Sequence, residues 1–402
     1  MIPQSAAELS PGWLTETLAR RGALGSGRVR NVEVERLGEG EGFMSDVYRL
    51  RLDVEAGDSD APASLIAKIP TRLKASRVEG EMLRIYERET CFYAELADRF
   101  PVRVPRFWLG SMDPKPGGPE ADARVDRLVE SVPLWLLRCL LLVARGLIRL
   151  FPRRHLLLLE DLAPAQVGDQ VGGCSDAELE LVISTLATQH AHFWRDPQIE
   201  TFPWISPLDA APRVLRLIHV QSRPLFERDF ASRLTPRVLR LGRWLDEHAS
   251  EAMRRFVRSP ATLLHGDYRL DNLFFTEEGG LVVSDWQVVC RGPGVYDLAY
   301  LLSGTLAPDV SAEREHEWVR RYHEGLVAGG VADYDLDACR RDYDRALILL
   351  LSRLISSIPR VDAVNERGGA LQSVWVDRMV ARIEALAPEA LPHEVTAHSA
   401  PA

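Results

Sequence analysis

The first third of the chain alternates hydrophobic and polar positions with the period of β-strands. Three segments that alternate or run apolar and contain β-branched residues are separated by turns rich in Gly and Asp, and two further segments are predicted to be strands. Because the connections LGEGEGF and AGDSDAPA are short, the first three segments are expected to pair as antiparallel hairpins. The pattern therefore predicts a small antiparallel sheet. The five segments are NVEVERL, SDVYRLRLDV, ASLIAKIP, RVPRFWLGSM and HLLLLEDL.

The remainder of the chain changes to helical periodicity. Residues 75–98 already repeat their apolar positions every three or four residues. After APAQVGDQVGG, an S-x-x-E capping box of Ser175 and Glu178 opens a long helix. Among the helices that follow, the only clear β pattern lies at residues 273–285. The other predicted helices are 212–230, 235–257, 311–328, 337–358 and 370–387.

These patterns predict an α+β protein with two lobes. Residues 1–162 form a lobe with a small antiparallel sheet, and residues 163–388 form a larger, mainly helical lobe. A helical insertion over about residues 112–153 interrupts the first lobe. The Pro-, Ala- and His-containing residues 389–402 are expected to be a flexible tail.

The insertion contains a hydrophobic segment, residues 132–151, that is close to the length of a membrane span. Arg138, Arg145 and Arg149 recur near one face of a helix, and three arginines make a span costly. We therefore expect an amphipathic helix that covers apolar surface of the protein, either over the substrate cleft or behind the small lobe. Contact with a membrane surface through residues 132–151 is the alternative.

Composition and charge narrow the class of protein. The 402 residues are 46% hydrophobic and 27% charged, which is typical of a globular chain. A net charge of −9 argues against a nucleic-acid partner. The five cysteines lie far apart without a CxxC pair, and the start of the chain predicts a short helix rather than a secretory signal. These features indicate reduced thiols and a cytoplasmic location.

The strongest chemical signal is LLHGDYRLDNLFFTEEGGLVVSDWQ, residues 263–287. Asp267 and Asn272 have the D-x-x-x-x-N spacing of a kinase catalytic loop. In a hairpin centred on the turn TEEGG, Asp285 faces Asn272, and Mg²⁺ prefers such oxygen ligands completed by phosphates and water. Asp267 then stands beside the metal, where a carboxylate accepts a hydroxyl proton. Asp and Asn often only cap turns, and this would explain a single Asp–Asn pair. It does not explain the ordered occurrence of His265, Gly266, Asp267, Asn272 and Asp285 around one hairpin.

The motifs HGDYRLDN, SDWQ and GPGVYDLAYLL resemble the aminoglycoside-phosphotransferase-like superfamily of small-molecule kinases. That group includes choline kinases and ecdysteroid-kinase-like proteins, and it shares the protein-kinase fold. The resemblance covers most of the chain from about residue 36 to 305, but the insertion over residues 112–153 and the tail of the chain fall outside it. It implies that Asp267 is the catalytic base, that Asn272 and Asp285 hold Mg²⁺, and that ATP is the phosphoryl donor.

A buried lysine is expected to pair with a glutamate of the following helix. Lys68 lies inside the apolar strand LIAKIP, where an unpaired charge is costly to bury. Helical periodicity places Glu89 on an inward face whose other members are apolar, so Glu89 is the predicted partner. Glu81 and Glu87 are the alternatives if the helical register differs. In the resembled family, the lysine at this place binds ATP phosphates.

Further ATP contacts are predicted in two loops. The glycine-containing loop LGEGEGFMS contributes Gly40, Gly42 and Ser45, whose backbone or hydroxyl groups are candidates for phosphate binding. Glu160 and Leu162 lie at the expected ATP cleft.

Two residues are expected to support the catalytic loop. Asp297 resembles a family aspartate that braces the loop, and His265 is interpreted as a packing and hydrogen-bonding residue rather than a proton carrier. His190 and His192 have core spacing on their helix and receive no chemical role.

The sequence thus predicts an ATP- and Mg²⁺-dependent kinase acting on a hydroxyl group of a small molecule. A protein kinase is disfavoured, because only a short segment separates Asp285 from the helix that begins near Val295. A non-catalytic nucleotide-binding protein on the same fold remains the alternative. The acceptor is left open among antibiotics, choline, sugars, steroids and hydroxyacyl thioesters.

Overall fold

A computed structural model describes residues 2–38, 44–55, 61–115, 124–125, 128–129, 131–357 and 366–396. The chain divides into two compact units. The first unit consists of Met1–Gly118, Trp135–Ala165 and Val282–Val288. The second unit consists of Pro119–Leu134, Gln166–Leu281 and Val289–Ala402. The lobe boundary expected at residue 162 stays a prediction.

The first unit is built on a five-stranded antiparallel sheet, as the alternating pattern predicts. The strand order is β1-β2-β3-β5-β4. Alternate side chains of β2 and β3, such as Leu50, Leu65 and Ala67, are fully buried and belong to one hydrophobic core. The strands are β1 (Arg28–Leu37), β2 (Ser45–Glu55), β3 (Ser64–Pro70), β4 (Phe107–Met112) and β5 (His155–Glu160).

The helix α1 (Pro11–Arg20) precedes the sheet and packs on the same core. Its first turn is capped by Ser10, whose hydroxyl accepts a hydrogen bond of 3.3 Å from the Trp13 N–H. Leu14 and Leu18 are fully buried. The predicted N-terminal helix is therefore confirmed.

The helical periodicity of residues 75–98 is confirmed, but it is divided between two helices, α2 (Lys74–Met82) and α3 (Ile85–Glu95). The break falls at Arg84, which has a left-handed φ of 57°. Arg84 is held there by Glu87, whose carboxylate accepts hydrogen bonds of 2.8 and 3.3 Å from the guanidinium. Neither Gly nor Pro marks this break in the sequence.

The insertion contains the predicted helix, α4 (Leu134–Leu150). Leu137 is fully buried. We expected the rest of the protein to cover the apolar side chains of this helix. Five large apolar side chains are instead 55–72% exposed, so the expectation is wrong for them. Among the described residues, no helix combines the length and apolar character that a membrane span requires. The exposed side chains are Trp135, Leu142, Val143, Leu147 and Leu150.

The second unit is mainly helical. Its first long helix begins with the predicted capping box, because the Ser175 hydroxyl accepts from the Glu178 N–H and the Glu178 carboxylate accepts from the Ser175 N–H. The helices are α5 (Asp176–His192), α6 (Pro212–Asp229), α7 (Pro236–Phe256), α8 (Val295–Thr305), α9 (Ala312–Ala328), α10 (Leu336–Ser357), α11 (Glu366–Ala385) and α12 (His393–Thr396).

Short strands interrupt these helices more often than the sequence predicts. The strand β11 pairs in parallel with β7 and antiparallel with β8, and β6 pairs antiparallel with β9. Strands of two to four residues are too short to show an alternating pattern, so the expectation of a single β feature is wrong. They are β6 (Gln166–Val167), β7 (Ser206–Pro207), β8 (Ala261–Leu264), β9 (Leu273–Phe275), β10 (Leu281–Val283) and β11 (Cys290–Pro293).

The tight turn predicted after β9 is present. The Thr276 N–H donates to the Gly280 carbonyl over 2.9 Å, and Gly279 has the positive φ of 80° that favours glycine.

The C-terminal residues 389–396 depart from the expected flexible tail. Val395 in α12 is buried, and its carbonyl accepts a 3.2 Å hydrogen bond from Arg240 on α7. Apolar burial and this bond give the segment a fixed place.

Candidate active site

The loop that follows β8 is braced by a buried carboxylate. Asp297, at the start of α8, is fully buried. Its two oxygens accept the N–H groups of His265 (2.6 Å) and Gly266 (2.9 Å). Gly266 has a φ of 79°, a conformation that side chains with a β-carbon rarely adopt. The expected bracing role of Asp297 is confirmed, and the bracing fixes the backbone that carries Asp267.

The Asp267 carboxylate is surrounded by donors within the second unit. Its Oδ1 accepts from the Tyr300 hydroxyl (2.7 Å) and from Arg353 Nη2 (3.1 Å). Its Oδ2 accepts from Asn272 Nδ2 (3.0 Å), and Arg269 Nε lies 3.4 Å from the same oxygen. The side chain is still 13% exposed. The carboxylate is thus fixed in position without being completely shielded from solvent.

These donors also determine the charge of Asp267. Burial favours the neutral acid, but the charges of Arg269 and Arg353 and the Tyr300 hydrogen bond outweigh it and hold the pKa of Asp267 below its ordinary value. Asp267 is therefore ionised at neutral pH, as a group that accepts a proton must be.

Asn272 is turned by two hydrogen bonds that it donates. Its Nδ2 donates to the Asp267 carbonyl (2.8 Å) and to the Asp267 carboxylate. Because both bonds use the amide nitrogen, Oδ1 is the atom that remains to accept a hydrogen bond or a cation. The short turn Leu270–Asn272 is held from outside by Gln170, whose Oε1 accepts the Leu270 N–H over 2.9 Å.

The predicted Lys68–Glu89 ion pair is present in the first unit. Lys68 Nζ on β3 lies 2.6 Å from Glu89 Oε1 on α3, and the two side chains are 14% and 5% exposed. The same ammonium lies 2.8 Å from Asp285 Oδ1, a contact that the sequence does not predict. One lysine therefore joins two acidic residues that are almost 200 positions apart in the chain.

The alternative partners, Glu81 and Glu87, have other contacts. Arg153 Nε lies 3.1 Å from Glu81, and Arg153 Nη2 lies 3.4 Å from Glu87. These ion pairs leave Glu89 as the partner of Lys68.

Burial and charge act in opposite directions on this ion pair. Burial lowers the pKa of Lys68, but the carboxylates of Asp285 and Glu89 outweigh it and raise the pKa above its ordinary value, so Lys68 stays charged. Burial raises the pKa of Glu89, which the charge of Lys68 opposes.

Asp285 has an unusual backbone conformation. Its φ is 67°, which costs a residue with a β-carbon about 1–3 kcal/mol. The next residue, Trp286, is fully buried and stacks on Phe92 with 4.1 Å between ring centroids. Gln287 Nε2 donates to Asp285 Oδ2 over 3.1 Å. Packing of Trp286 and the Gln287 bond thus orient the carboxylate.

The two predicted Mg²⁺ ligands belong to different units, and the donor type of each fits Mg²⁺. One carboxylate (Asp285) and one amide oxygen (Asn272) are the kind of protein ligands that Mg²⁺ takes together with phosphate oxygens and water. Within the described ranges, no cluster of three or more His, Cys, Asp or Glu side chains is arranged to bind a metal by itself. A shared ion at Asn272 and Asp285 stays a prediction.

Two residues predicted at the ATP cleft have structural contacts. The Glu160 carboxylate accepts from Arg103 Nη2 and from the Arg106 N–H, both over 2.9 Å. The Leu162 carbonyl accepts the Ala165 N–H over 2.8 Å. The Glu160 side chain is therefore engaged by its own unit, and nucleotide contacts of Glu160 and Leu162 stay predictions.

The phosphate-binding loop is only partly described. Ser45 is the first residue of β2 and pairs in register with Pro70 of β3. Gly40 and Gly42 lie outside the described residues. The predicted role of all three in phosphate binding stays a prediction.

Sequence reasoning missed three residues that contact Asp267. Tyr300 follows the bracing Asp297 by one helical turn, and Arg353 is the one charged residue in the run LILLLSRLISS. Arg269 lies within the catalytic motif itself. A single cationic residue in an apolar helix predicts a buried ion pair, because a buried charge requires a partner of opposite charge.

The architecture and these residues define a class of protein. The chain has an α+β fold of the protein-kinase-like type, with an antiparallel sheet and many helices. Residues 119–347, more than half of the chain, match the family model described as "Phosphotransferase enzyme family" (APH). The chain belongs to this family. The match reaches further towards the C-terminus than the resemblance over residues 36–305 and includes much of the insertion.

Solved structures show the same fold at low sequence identity. A mutant of aminoglycoside 2′-phosphotransferase-IIIa in complex with GDP has a TM-score of 0.50 at 13% identity, covering 91% of this chain and 96% of that chain. Choline kinase from Cryptosporidium parvum has a TM-score of 0.50 at 9% identity, covering 88% and 89%. No curated protein matches the chain in sequence.

Proposed function

We propose that the chain is a kinase that transfers the γ-phosphoryl group of ATP to a hydroxyl group of a small molecule, with Asp267 as the catalytic base. The observation that carries this proposal is the ionised, partly exposed Asp267 carboxylate, fixed by Tyr300, Arg353 and Asn272 on a loop that Asp297 braces. Membership of the phosphotransferase enzyme family supports it.

Each proposed role follows from a local contact. Asp267 accepts a hydrogen bond from the acceptor hydroxyl, orients its oxygen for in-line attack and takes its proton as the new O–P bond forms. Asn272 Oδ1 and the Asp285 carboxylate would hold Mg²⁺, which neutralises phosphate charge when it is bound.

Lys68 is proposed to bind the ATP phosphates. An ammonium has three N–H donors, and Glu89 and Asp285 accept from it at 2.6 and 2.8 Å. Glu89 fixes the ammonium from the α3 side while a further donor serves a phosphate oxygen.

Two other functions on this fold are less well supported. Only residues 286–294 separate Asp285 from α8, which is too short for the long activation segment with which a protein kinase presents a peptide. A non-catalytic nucleotide-binding protein would not require Asp267 to be held ionised by two arginines and a tyrosine.

A screen of ATP consumption against hydroxylated metabolites and antibiotics tests the proposal. The wild-type chain should produce a phosphorylated acceptor, identified by mass spectrometry, and Asp267→Asn serves as the blank. Equal ATP consumption by both proteins, with no phosphorylated product across the screen, would overturn it.

We further propose that α4 contacts an anionic membrane surface while the enzyme itself is cytoplasmic and binds no nucleic acid. At about 100° per residue, Arg138, Arg145 and Arg149 fall within roughly 40° of one another, beside the exposed apolar side chains. All three arginines are exposed, and the helix has no acidic residue. An exposed tryptophan–leucine face edged by arginines suits the interface of an anionic bilayer.

A further inference from the structure

Two buried arginines lie one helical turn apart on α11. Arg378 and Arg382 are 7% and 1% exposed. Arg382 pairs with Glu315, whose carboxylate accepts from Arg382 Nη1 over 3.0 Å. The Arg378 guanidinium instead donates to three backbone carbonyls, and burial lowers the pKa of Arg378 from its ordinary value. Because burying a cation is costly, we asked what the three carbonyls have in common.

The three carbonyls belong to two elements next to the catalytic loop, all within the second unit. Arg378 Nη1 lies 2.7 Å from the Gln170 carbonyl oxygen and 2.5 Å from that of Gly304 on α8. Arg378 Nη2 lies 3.1 Å from the Val171 carbonyl oxygen. The Gln170 side-chain amide donates to the same Gly304 carbonyl. One guanidinium therefore joins α8 to the segment that contains Gln170 and Val171.

The Gln170 side chain connects this segment to the turn that carries Asn272. Gln170 is fully buried, and its Oε1 accepts the Leu270 N–H over 2.9 Å. Asn272, two residues further on, donates to Asp267 Oδ2 over 3.0 Å. The packing is tight, because a β-carbon at Gly168 would lie 2.6 Å from the Leu270 carbonyl oxygen. A displacement of Gln170 would therefore move the turn and, with it, Asn272.

The helix α8 provides a second connection to Asp267. Gly304 lies one turn after Tyr300, whose hydroxyl donates to Asp267 Oδ1 over 2.7 Å. A β-carbon at Gly304 would lie 2.7 Å from Gln170 Nε2, so glycine at this position lets the amide reach the helix. Each oxygen of the Asp267 carboxylate is thus held by an element that Arg378 contacts directly or through Gln170.

We propose that Arg378 is a positioning residue for phosphoryl transfer, an inference that rests on the proposed kinase function. By holding Gln170 against α8, Arg378 fixes the turn of Asn272 and the helix of Tyr300, and through them the orientation of the Asp267 carboxylate. Arg378 acts through these contacts and binds neither the nucleotide nor the acceptor. Its loss therefore affects the chemical step and not the affinity for ATP.

Kinetics of Arg378→Met with the acceptor that the ATP-consumption screen identifies test this role. The variant should lower kcat about tenfold or more, since misplacing a reacting group by about 1 Å costs up to about 10²-fold, and should leave KM for ATP within about twofold. Arg378→Lys keeps a charged donor for the carbonyls and should recover part of kcat. Gln170→Leu removes the connection to Leu270 and should lower kcat to the same extent, and the double variant should be no slower than either single one.

Arg382→Met is the matched control. It removes a buried arginine of the same helix whose contacts are with Glu315 and with carbonyls such as that of Val310. Thermal unfolding fixes a temperature at which the variants are folded, and there Arg382→Met should keep the wild-type kcat. If Arg378→Met does not fold, Gln170→Leu and Arg378→Lys decide.

Hydrogen exchange gives a readout that needs no acceptor. Peptides covering residues 265–273 should exchange faster in Arg378→Met than in the wild type, measured relative to peptides of α5, whereas Arg382→Met should leave their exchange unchanged. Faster exchange is expected because the Leu270 N–H loses a fixed partner.

The outcomes separate this inference from the proposed function. A wild-type chain that phosphorylates no acceptor would contradict the kinase, and exchange of residues 265–273 would then decide alone whether Arg378 holds the loop. Unchanged exchange of these residues in Arg378→Met would overturn the inference whatever the activity. Equal loss of kcat in Arg378→Met and Arg382→Met, or a raised KM for ATP with unchanged kcat, would also overturn it and leave the kinase proposal standing.

Discussion

Lys68 Nζ lies 2.6 Å from Glu89 and 2.8 Å from Asp285, so one buried ammonium joins β3, α3 and the segment after β10. Removing either carboxylate would leave the charge of Lys68 less compensated in a site where an unpaired charge is costly. The contact also fixes Asp285 in the conformation that Trp286 and Gln287 support. Nucleotide binding and local folding are therefore expected to depend on the same three residues.

Asp267→Asn should abolish phosphoryl transfer and leave ATP affinity within about twofold. The variant keeps the shape of the side chain but cannot accept the hydroxyl proton, and loss of a general base costs about 10²–10⁴-fold in rate. Steady-state kinetics and calorimetric ATP titration check both parts.

Asp271→Asn is the matched control for this variant. Asp271 lies in the same loop, but its carboxylate accepts hydrogen bonds from Gln170, Arg269 and Arg367. It is not the residue proposed to take the hydroxyl proton. It should retain most activity. Turnover in Asp267→Asn equal to that of wild type would contradict the assignment of the base.

Asp285→Ala should weaken binding of MgATP far more than binding of metal-free ATP. The carboxylate contributes negative charge to the ion and makes no favourable charge contact with bare phosphates, so its loss acts mainly on MgATP. Titrations with Mg²⁺ and with a chelator measure the difference.

Lys68→Met provides the comparison for Asp285→Ala. Loss of the Lys68 ammonium should weaken binding of both MgATP and metal-free ATP, because the ammonium interacts with phosphate charge whether or not the metal is present. Equal losses with and without Mg²⁺ in Asp285→Ala would instead indicate misfolding.

Arg353→Met should move the acid limb of the kcat profile to higher pH. In the wild type, Arg269 and Arg353 hold the pKa of Asp267 below the ordinary aspartate value of about 3.9. A depressed folded-state pKa contributes stability above the unfolded value, and that stability is lost as the pH falls through the folded value. Without Arg353, burial is less opposed and Asp267 protonates at higher pH.

Arg353→Lys is the control, since it keeps a positive charge near Asp267 and should leave the acid limb closer to wild type. Profiles of kcat and of thermal unfolding from pH 3 to 8 give both readouts. An acid limb that Arg353→Met leaves in place would show that another group determines it.

Local patterns predicted much of the fold and part of the candidate site. The sheet followed from alternation, and the Lys68–Glu89 pair followed from a helical register and the cost of an unpaired buried charge. The break at Arg84 was missed because side-chain contacts with Glu87 stabilise it without Gly or Pro. The contacts of Tyr300 and Arg353 with Asp267 were missed because they join positions 33 and 86 residues apart, which no local period encodes.

The helix α4 should bind vesicles that contain anionic lipid and bind zwitterionic vesicles weakly. A basic residue near an anionic surface contributes about 1 kcal/mol, so Arg138, Arg145 and Arg149 together supply about 3 kcal/mol, or roughly a hundredfold in partitioning. The exposed Trp135 and Leu142 add apolar insertion. Vesicle flotation of the full chain at low and moderate salt measures the partitioning.

Two variants and one control distinguish the possible partners of this face. Changing the three arginines of α4 to glutamine should remove the preference for anionic lipid, whereas Trp135→Ser with Leu142→Ser should weaken binding to all vesicles. Val327→Ser removes an exposed apolar side chain on α9 and should change nothing. Failure of the wild type to float with anionic vesicles would refute membrane contact. If size-exclusion chromatography then showed a dimer that Trp135→Ser dissociates, the partner of the exposed face would be a second copy of the chain, because the same apolar side chains would be buried between two proteins instead of in lipid.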